Sequence, residues 1–147
     1  MYRHLFVPVD GSELSHRAMD GSIALAAQLG ARITGFVVEP DVPVAVGSQN
    51  ADTFISGIKK HEAKNAAHAQ ALLGQFEERA KAAGVEFTGL SVTAYGVDHT
   101  IVEEADKAGC DMIVMVTHGR GPVGEFLFGS HTKKVIAQSK LPVFVLH

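Results

Sequence analysis

Leu5-Phe6-Val7-Pro8-Val9 is an unbroken apolar run that stops at Asp10-Gly11-Ser12. A run this short, with no polar residue alternating through it, suits a strand buried on both faces. Ser12 followed by Glu13 reads as a helix N-cap with an acid in the first turn. Leu14, Ala18, Ser22, Leu25 and Leu29 then recur at helical spacing, and Gly30 stands where a helix C-terminal glycine belongs. A buried strand, a tight turn and an amphipathic helix therefore form the first unit of the chain.

That unit recurs. Ile33-Thr34-Gly35-Phe36-Val37-Val38 reads as a second buried strand, and Gly35 inside it points to a close approach by backbone or ligand. Residues 39–50 carry Pro40, Pro43, Gly47 and Asn50, a loop long enough to suggest function or motion. From about 51 to 83 the pattern is helical, with Ala69, Leu72, Leu73, Phe76 and Ala80 forming an apolar stripe that Gly84 closes. Residues 85–95 make a third, less buried strand. Asp98 is placed to cap a short helix whose inner face is Ile101, Ala105 and Ala108, ended by Gly109. Met112-Ile113-Val114-Met115-Val116 is the most apolar strand, followed by a glycine-rich stretch over 117–129 and a helix over about 130–139. Pro142-Val143-Phe144-Val145-Leu146 is a final strand, with proline at its entrance where a missing N–H does no harm. Such alternation predicts one α/β domain over 1–147, a parallel sheet with helices on both faces. Ligands of such sheets bind beyond the carboxyl ends of the strands, so the loops after Val9, Val38, Tyr95 and Val116 are the ones to examine.

Composition excludes several classes. At 147 residues the chain can bury a sufficient core without metal or disulfide. A net charge of −3 and no polybasic run argue against a nucleic-acid coat or an anionic membrane surface. One cysteine rules out an internal disulfide framework and any multi-cysteine zinc site. No apolar run reaches membrane-spanning length, and the first eight residues hold no signal-peptide core, so a cytoplasmic protein is expected.

The glycine-rich stretch needs care. Gly119-Arg120-Gly121-Pro122-Val123-Gly124 spells a dinucleotide fingerprint, but late in the chain and with no acid after Glu125 to hold a ribose. Gly124 and Gly129 have P-loop spacing, yet Ser130 stands where the phosphate-binding lysine belongs. What remains is a helix start at Gly129-Ser130 whose free N–H groups can hold an anion, with Thr132, Lys133 and Lys134 nearby; an ordinary serine cap fits the same residues. Asp10 has two readings as well, turn chemistry or a ligand contact at a strand end. His61 and His68 are seven apart rather than four, which suits a solvated face better than a metal pair. Cys110, beside a buried strand, reads as structural. Serine, histidine and aspartate all occur, but no nucleophile elbow presents a serine.

Taken together, Val7-Pro8-Val9-Asp10-Gly11-Ser12, Asp111-Met112-Ile113-Val114-Met115, Thr117-His118-Gly119, Gly129-Ser130 and Lys140-Leu141-Pro142-Val143-Phe144-Val145 resemble the universal stress protein (UspA-type) family over the whole chain. The resemblance implies a five-stranded parallel sheet of order 3-2-1-4-5, an adenine nucleotide alpha hydrolase-like fold. Many members bind ATP through G-x2-G-x9-G-(S/T). On this chain Gly119 is the second glycine, nine residues separate it from Gly129-Ser130, and Val116 replaces the first glycine. By resemblance, Pro8, Val9 and Asp10 would sit beside the nucleotide, Val38 or Val37 would line the adenine, and Ser130, His131 and Thr132 would face the phosphates. The implied function is a stress-associated, ATP-binding regulatory protein, with Mg²⁺ accompanying ATP and at most slow hydrolysis. The alternative is a dimeric interaction module that binds no nucleotide. The family also implies a homodimer joined along Pro142 to Leu146.

Overall fold

The computed structural model describes residues 1–40, 51–117 and 130–147. Along them run β1 (His4–Pro8), α1 (Glu13–Leu29), β2 (Arg32–Pro40), α2 (Ala51–Ala82), β3 (Phe87–Ala94), α3 (Val97–Lys107), β4 (Met112–Val116), α4 (Ser130–Gln138) and β5 (Val143–Leu146). The strands form a five-stranded sheet of order β3-β2-β1-β4-β5, every pairing parallel. This is the predicted order. Right-handed crossovers that reverse direction after β3 send α1 and α2 to one face and α3 and α4 to the other. In β1 and β4 every residue is buried, as unbroken apolar strands at the centre of a two-sided sheet must be.

The core is layered by aromatic pairs. Phe6 and Phe36, fully buried on neighbouring central strands, bring their rings to 4.8 Å. On the α2 side, Phe76 and Phe87 do the same at 4.8 Å. Gly35 lies beneath that second pair: a Cβ there would come within 2.6 Å of the Phe87 ring. The close approach read from the sequence is thus to an aromatic side chain.

Three details differ from the sequence reading. In α1 the inner face is Leu14, Ser15, Ala18, Met19, Ser22, Ile23 and Ala26, while Leu25 is half-buried and Leu29 is 41% exposed. Leu25 falls at the edge of the buried arc, beside Leu14, and Leu29 is the last residue of the helix. In α3 the N-cap is Gly96, which puts Asp98 inside the first turn, not at the cap. Glu39 and Pro40, read as loop, continue β2 and pair with Thr93 and Ala94 of β3. Gly30, Gly84 and Gly109 all take positive φ at helix ends, as their positions predict. Cys110 is buried, and desolvation pushes its thiol up to about 11 against the pull of a hydrogen bond from Thr34, in keeping with a structural role. Among the described residues no helix is long and apolar enough to cross a membrane.

Candidate functional site

A cavity of about 370 Å³ opens at the carboxyl ends of β1 and β2. Asp10 and Val38 line it from the sheet, Glu39 from the end of β2, His68 from α2, Tyr95 from the β3–α3 turn and His131 from α4. An apolar pit of about 30 Å³ adjoins it, sharing Asp10, Val38 and Val97 and walled by Pro8, Val9, Ile101 and Met115. A larger groove of about 670 Å³ lies at the opposite end of the strands, around Arg3, Arg32 and the three helix-terminal glycines Gly30, Gly84 and Gly109. It is open to solvent and ringed by helix carboxyl ends. The smaller cavity is at the end where open α/β sheets place ligands, and its size suits a small molecule.

Asp10 performs the turn chemistry read from its sequence. Its Oδ1 accepts hydrogen bonds from the Ser12 N–H and the Ser15 hydroxyl, each at 2.9 Å. The Ser15 Oγ in turn accepts the N–H groups of Asp10 at 2.9 Å and Gly11 at 3.0 Å. Ser12 occupies the cap position of α1 but makes no side-chain cap bond. Both bonds to the carboxylate use Oδ1, while Asp10 also lines the cavity. The turn and ligand readings of Asp10 are therefore compatible. Gly11, at φ +87°, allows the sharp turn, and a Cβ on it would meet His68 Nε2 at 2.9 Å.

On the opposite wall, His131 stands in the first turn of α4. Its Nδ1 is buried without a hydrogen bond among the described residues and lies 3.5 Å from Asp98 Oδ1. That separation is too long for a full hydrogen bond but close enough for attraction. Asp98 Oδ2 accepts the Gln138 amide at 2.7 Å. Desolvation pushes the Asp98 carboxyl up, but the Gln138 amide, its own backbone N–H and the Lys134 charge outweigh it and hold the group below the ordinary carboxylate range.

The structure brings together Pro8, Val9, Asp10, Val38 and His131 from the sequence-predicted set. Thr132 is buried and outside the lining of either hollow. Val116 is fully buried at the end of β4. Strand alternation turns it to the face opposite Met115, away from the apolar pit. Ser130 begins α4. Gly119 and Gly129 fall outside the described residues. Asn65 and His68 of α2 were missed, because nothing in a helical pattern tells which polar residues reach a neighbouring strand end. Tyr95 and Val97 had a signal, since the loop after Tyr95 closes a strand on the ligand side.

The lining divides chemically. Val37, Val38, Ala94 and Val97 offer apolar surface suited to a flat ring. Asp10 and Glu39 offer carboxylates that accept hydroxyl donors and repel phosphate. A phosphate would sit at the other wall, by His131 and the amino end of α4. Among the described residues, no group of three or more His, Cys, Asp or Glu is placed to hold a metal ion.

Comparison with known proteins agrees with this fold. A model of the universal stress protein family matches residues 1–147. Universal stress protein MJ0531 of Methanocaldococcus jannaschii is 28% identical over 147 residues, covering 99% of this chain and 82% of its own. The solved structure of universal stress protein UspA from Lactobacillus plantarum is similar in fold, with a TM-score of 0.79 at 21% identity, over 99% of this chain and 98% of its own. A universal stress protein solved in complex with cAMP superposes with a TM-score of 0.70 at 26% identity, over 99% and 97% of the two chains. The family match over every residue, on a sheet of the predicted order, places this chain in the universal stress protein family.

Proposed function

We propose that this chain is a cytoplasmic, stress-associated regulator that binds an adenine nucleotide, ATP with its Mg²⁺, in the cavity beyond β1 and β2. The observation that carries the reading is convergence. Asp10, Val38 and His131, drawn from three distant parts of the sequence, line one hollow of suitable size. In this reading the base lies against Val38 and Val97, the ribose hydroxyls donate to Asp10, and the phosphates reach toward His131 and the amino end of α4. The cAMP-bound relative, 26% identical, supports a nucleotide as the class of ligand. The test is a thermal-shift titration with ATP and Mg²⁺, with AMP and GTP alongside. A site filled at about 100 times its Kd gains about 2.7 kcal/mol. In a domain of this size that raises Tm by about 5–11 °C. A flat response up to millimolar ATP would overturn the reading.

A homodimer along β5 belongs to the same proposal. β5 is an edge strand, Phe144 on it is 39% exposed, and Ile136 of α4 is 51% exposed. Apolar edges of this kind are normally covered. Light scattering at micromolar concentration is expected to give twice the chain mass, and Phe144→Asp to give the monomer. A monomeric wild type would sink the dimer. If the dimer persists while ATP leaves Tm unmoved, the nucleotide-free interaction module is the better reading.

A further inference from the structure

The Asp98–His131 pair goes beyond anything the glycine motif requires. Asp98 stands in the first turn of α3 and His131 in the first turn of α4, so the pair ties together the amino ends of two packed helices. Gln138, two turns further along α4, anchors the same carboxylate through its other oxygen at 2.7 Å. The carboxylate is thus fixed from one side and faces, at 3.5 Å, a buried Nδ1 with no hydrogen bond among the described residues. With Nδ1 turned inward, Nε2 is the ring nitrogen left for the cavity that His131 lines.

We propose that Asp98, steadied by Gln138, is a positioning residue that sets the His131 ring so that Nε2 binds the phosphate of the nucleotide as an imidazolium, which makes phosphate recognition proton-linked. The proposal rests on the nucleotide reading above. An imidazolium held by a carboxylate on Nδ1 can donate from Nε2 to a phosphate oxygen, a charge-assisted bond that neutral imidazole does not provide in the same tautomer. The other groups around it set the sign. Asp10 and Glu39 from the sheet and His68 from α2 line the same cavity, and Lys134 acts on Asp98 from α4. The carboxylates favour a cation in the hollow, and Lys134 opposes it. The phosphate-bearing ligand should bind more tightly as pH falls through the histidine range, relative to a protein lacking the ring.

The experiment is calorimetric titration of the full chain with AMP and with adenosine at pH 6 and pH 8, for wild type, His131→Gln, Asp98→Asn and the double variant. Protonation of AMP itself is common to all four proteins and cancels in their ratios. The wild type is expected to bind AMP about tenfold more tightly than His131→Gln at pH 6 and about equally at pH 8. Adenosine, which has no phosphate, should bind all four alike. Asp98→Asn should weaken AMP at pH 6 in the wild-type background and do nothing further in the His131→Gln background. His131→Asn repeats the comparison should His131→Gln fail to fold. An AMP ratio that is the same at both pH values overturns the proposal while leaving the nucleotide reading intact. So does an Asp98→Asn effect that persists without His131. A wild type that binds neither ligand removes the nucleotide reading, and this proposal with it.

Discussion

Phe76→Ala is expected to destabilise the protein by about 3–5 kcal/mol, the range for emptying a fully buried phenylalanine site. Phe76 is wholly buried and is the largest side chain that α2 places in the core; its companions there are Ala69, Leu72 and Ala80. Its ring also meets Phe87 at 4.8 Å, a tilted pair that adds to the burial. Two alanines and a leucine cannot close the space it would leave. In a domain of this size the loss lowers Tm by about 6–20 °C. Ile55, on the same helix but 49% exposed, is the internal control: Ile55→Ala should change stability by under about 0.5 kcal/mol. Chemical denaturation checks both. A cost below about 1 kcal/mol for Phe76→Ala would mean that α2 is not docked through this ring. The variant also bears on the site, because α2 supplies the wall carrying Asn65 and His68. A loosened α2 should weaken ligand binding without touching Asp10 or His131.

The fold could be read in the sequence because its signals are local and repeated. Each buried strand is a short apolar run, each helix has a stripe, and Gly30, Gly84 and Gly109 mark helix ends by a backbone conformation that other residues adopt at a cost. The strand order needed more than periodicity; it came from the family resemblance and holds in the structure. At the site, Asp10 and Val38 were legible because the carboxyl end of a strand is where a sheet of this kind holds ligands. His68, Asn65 and the Asp98–His131 contact were not. They depend on how far α2 and α3 slide along the sheet, which is set by packing between residues distant in sequence. Asp98 shows the limit well. Its sequence suggests a cap, but the helix begins at Val97, and the carboxylate turns instead to Gln138 and His131 on another helix.

The second large effect is expected at Gly35. It pairs with Val7 of β1 on one side and Gly89 of β3 on the other, and its φ is not positive, so glycine is not required by backbone conformation. What requires it is space. A Cβ would lie 2.6 Å from Cε2 and Cζ of Phe87 and 3.0 Å from Cδ2 of Phe76. Gly35→Ala is therefore expected to cost about 1–3 kcal/mol through overpacking. Because the closest conflict is with the Phe87 ring, the same substitution in a Phe87→Ala background should cost less, a coupling that a double-mutant cycle measures directly. An equal cost in both backgrounds would show that Gly35 is needed for some other reason. Gly74 gives the opposite sign. It sits inside α2 with nothing within 4 Å of a Cβ, so Gly74→Ala should stabilise by about 0.5–1 kcal/mol through helix propensity and a less disordered unfolded chain. The contrast separates two uses of glycine that look alike in the sequence. At Gly35 the missing side chain lets Phe87 and Phe76 settle onto the sheet, and that seating fixes the height of α2 and brings His68 over Gly11 at the rim of the cavity.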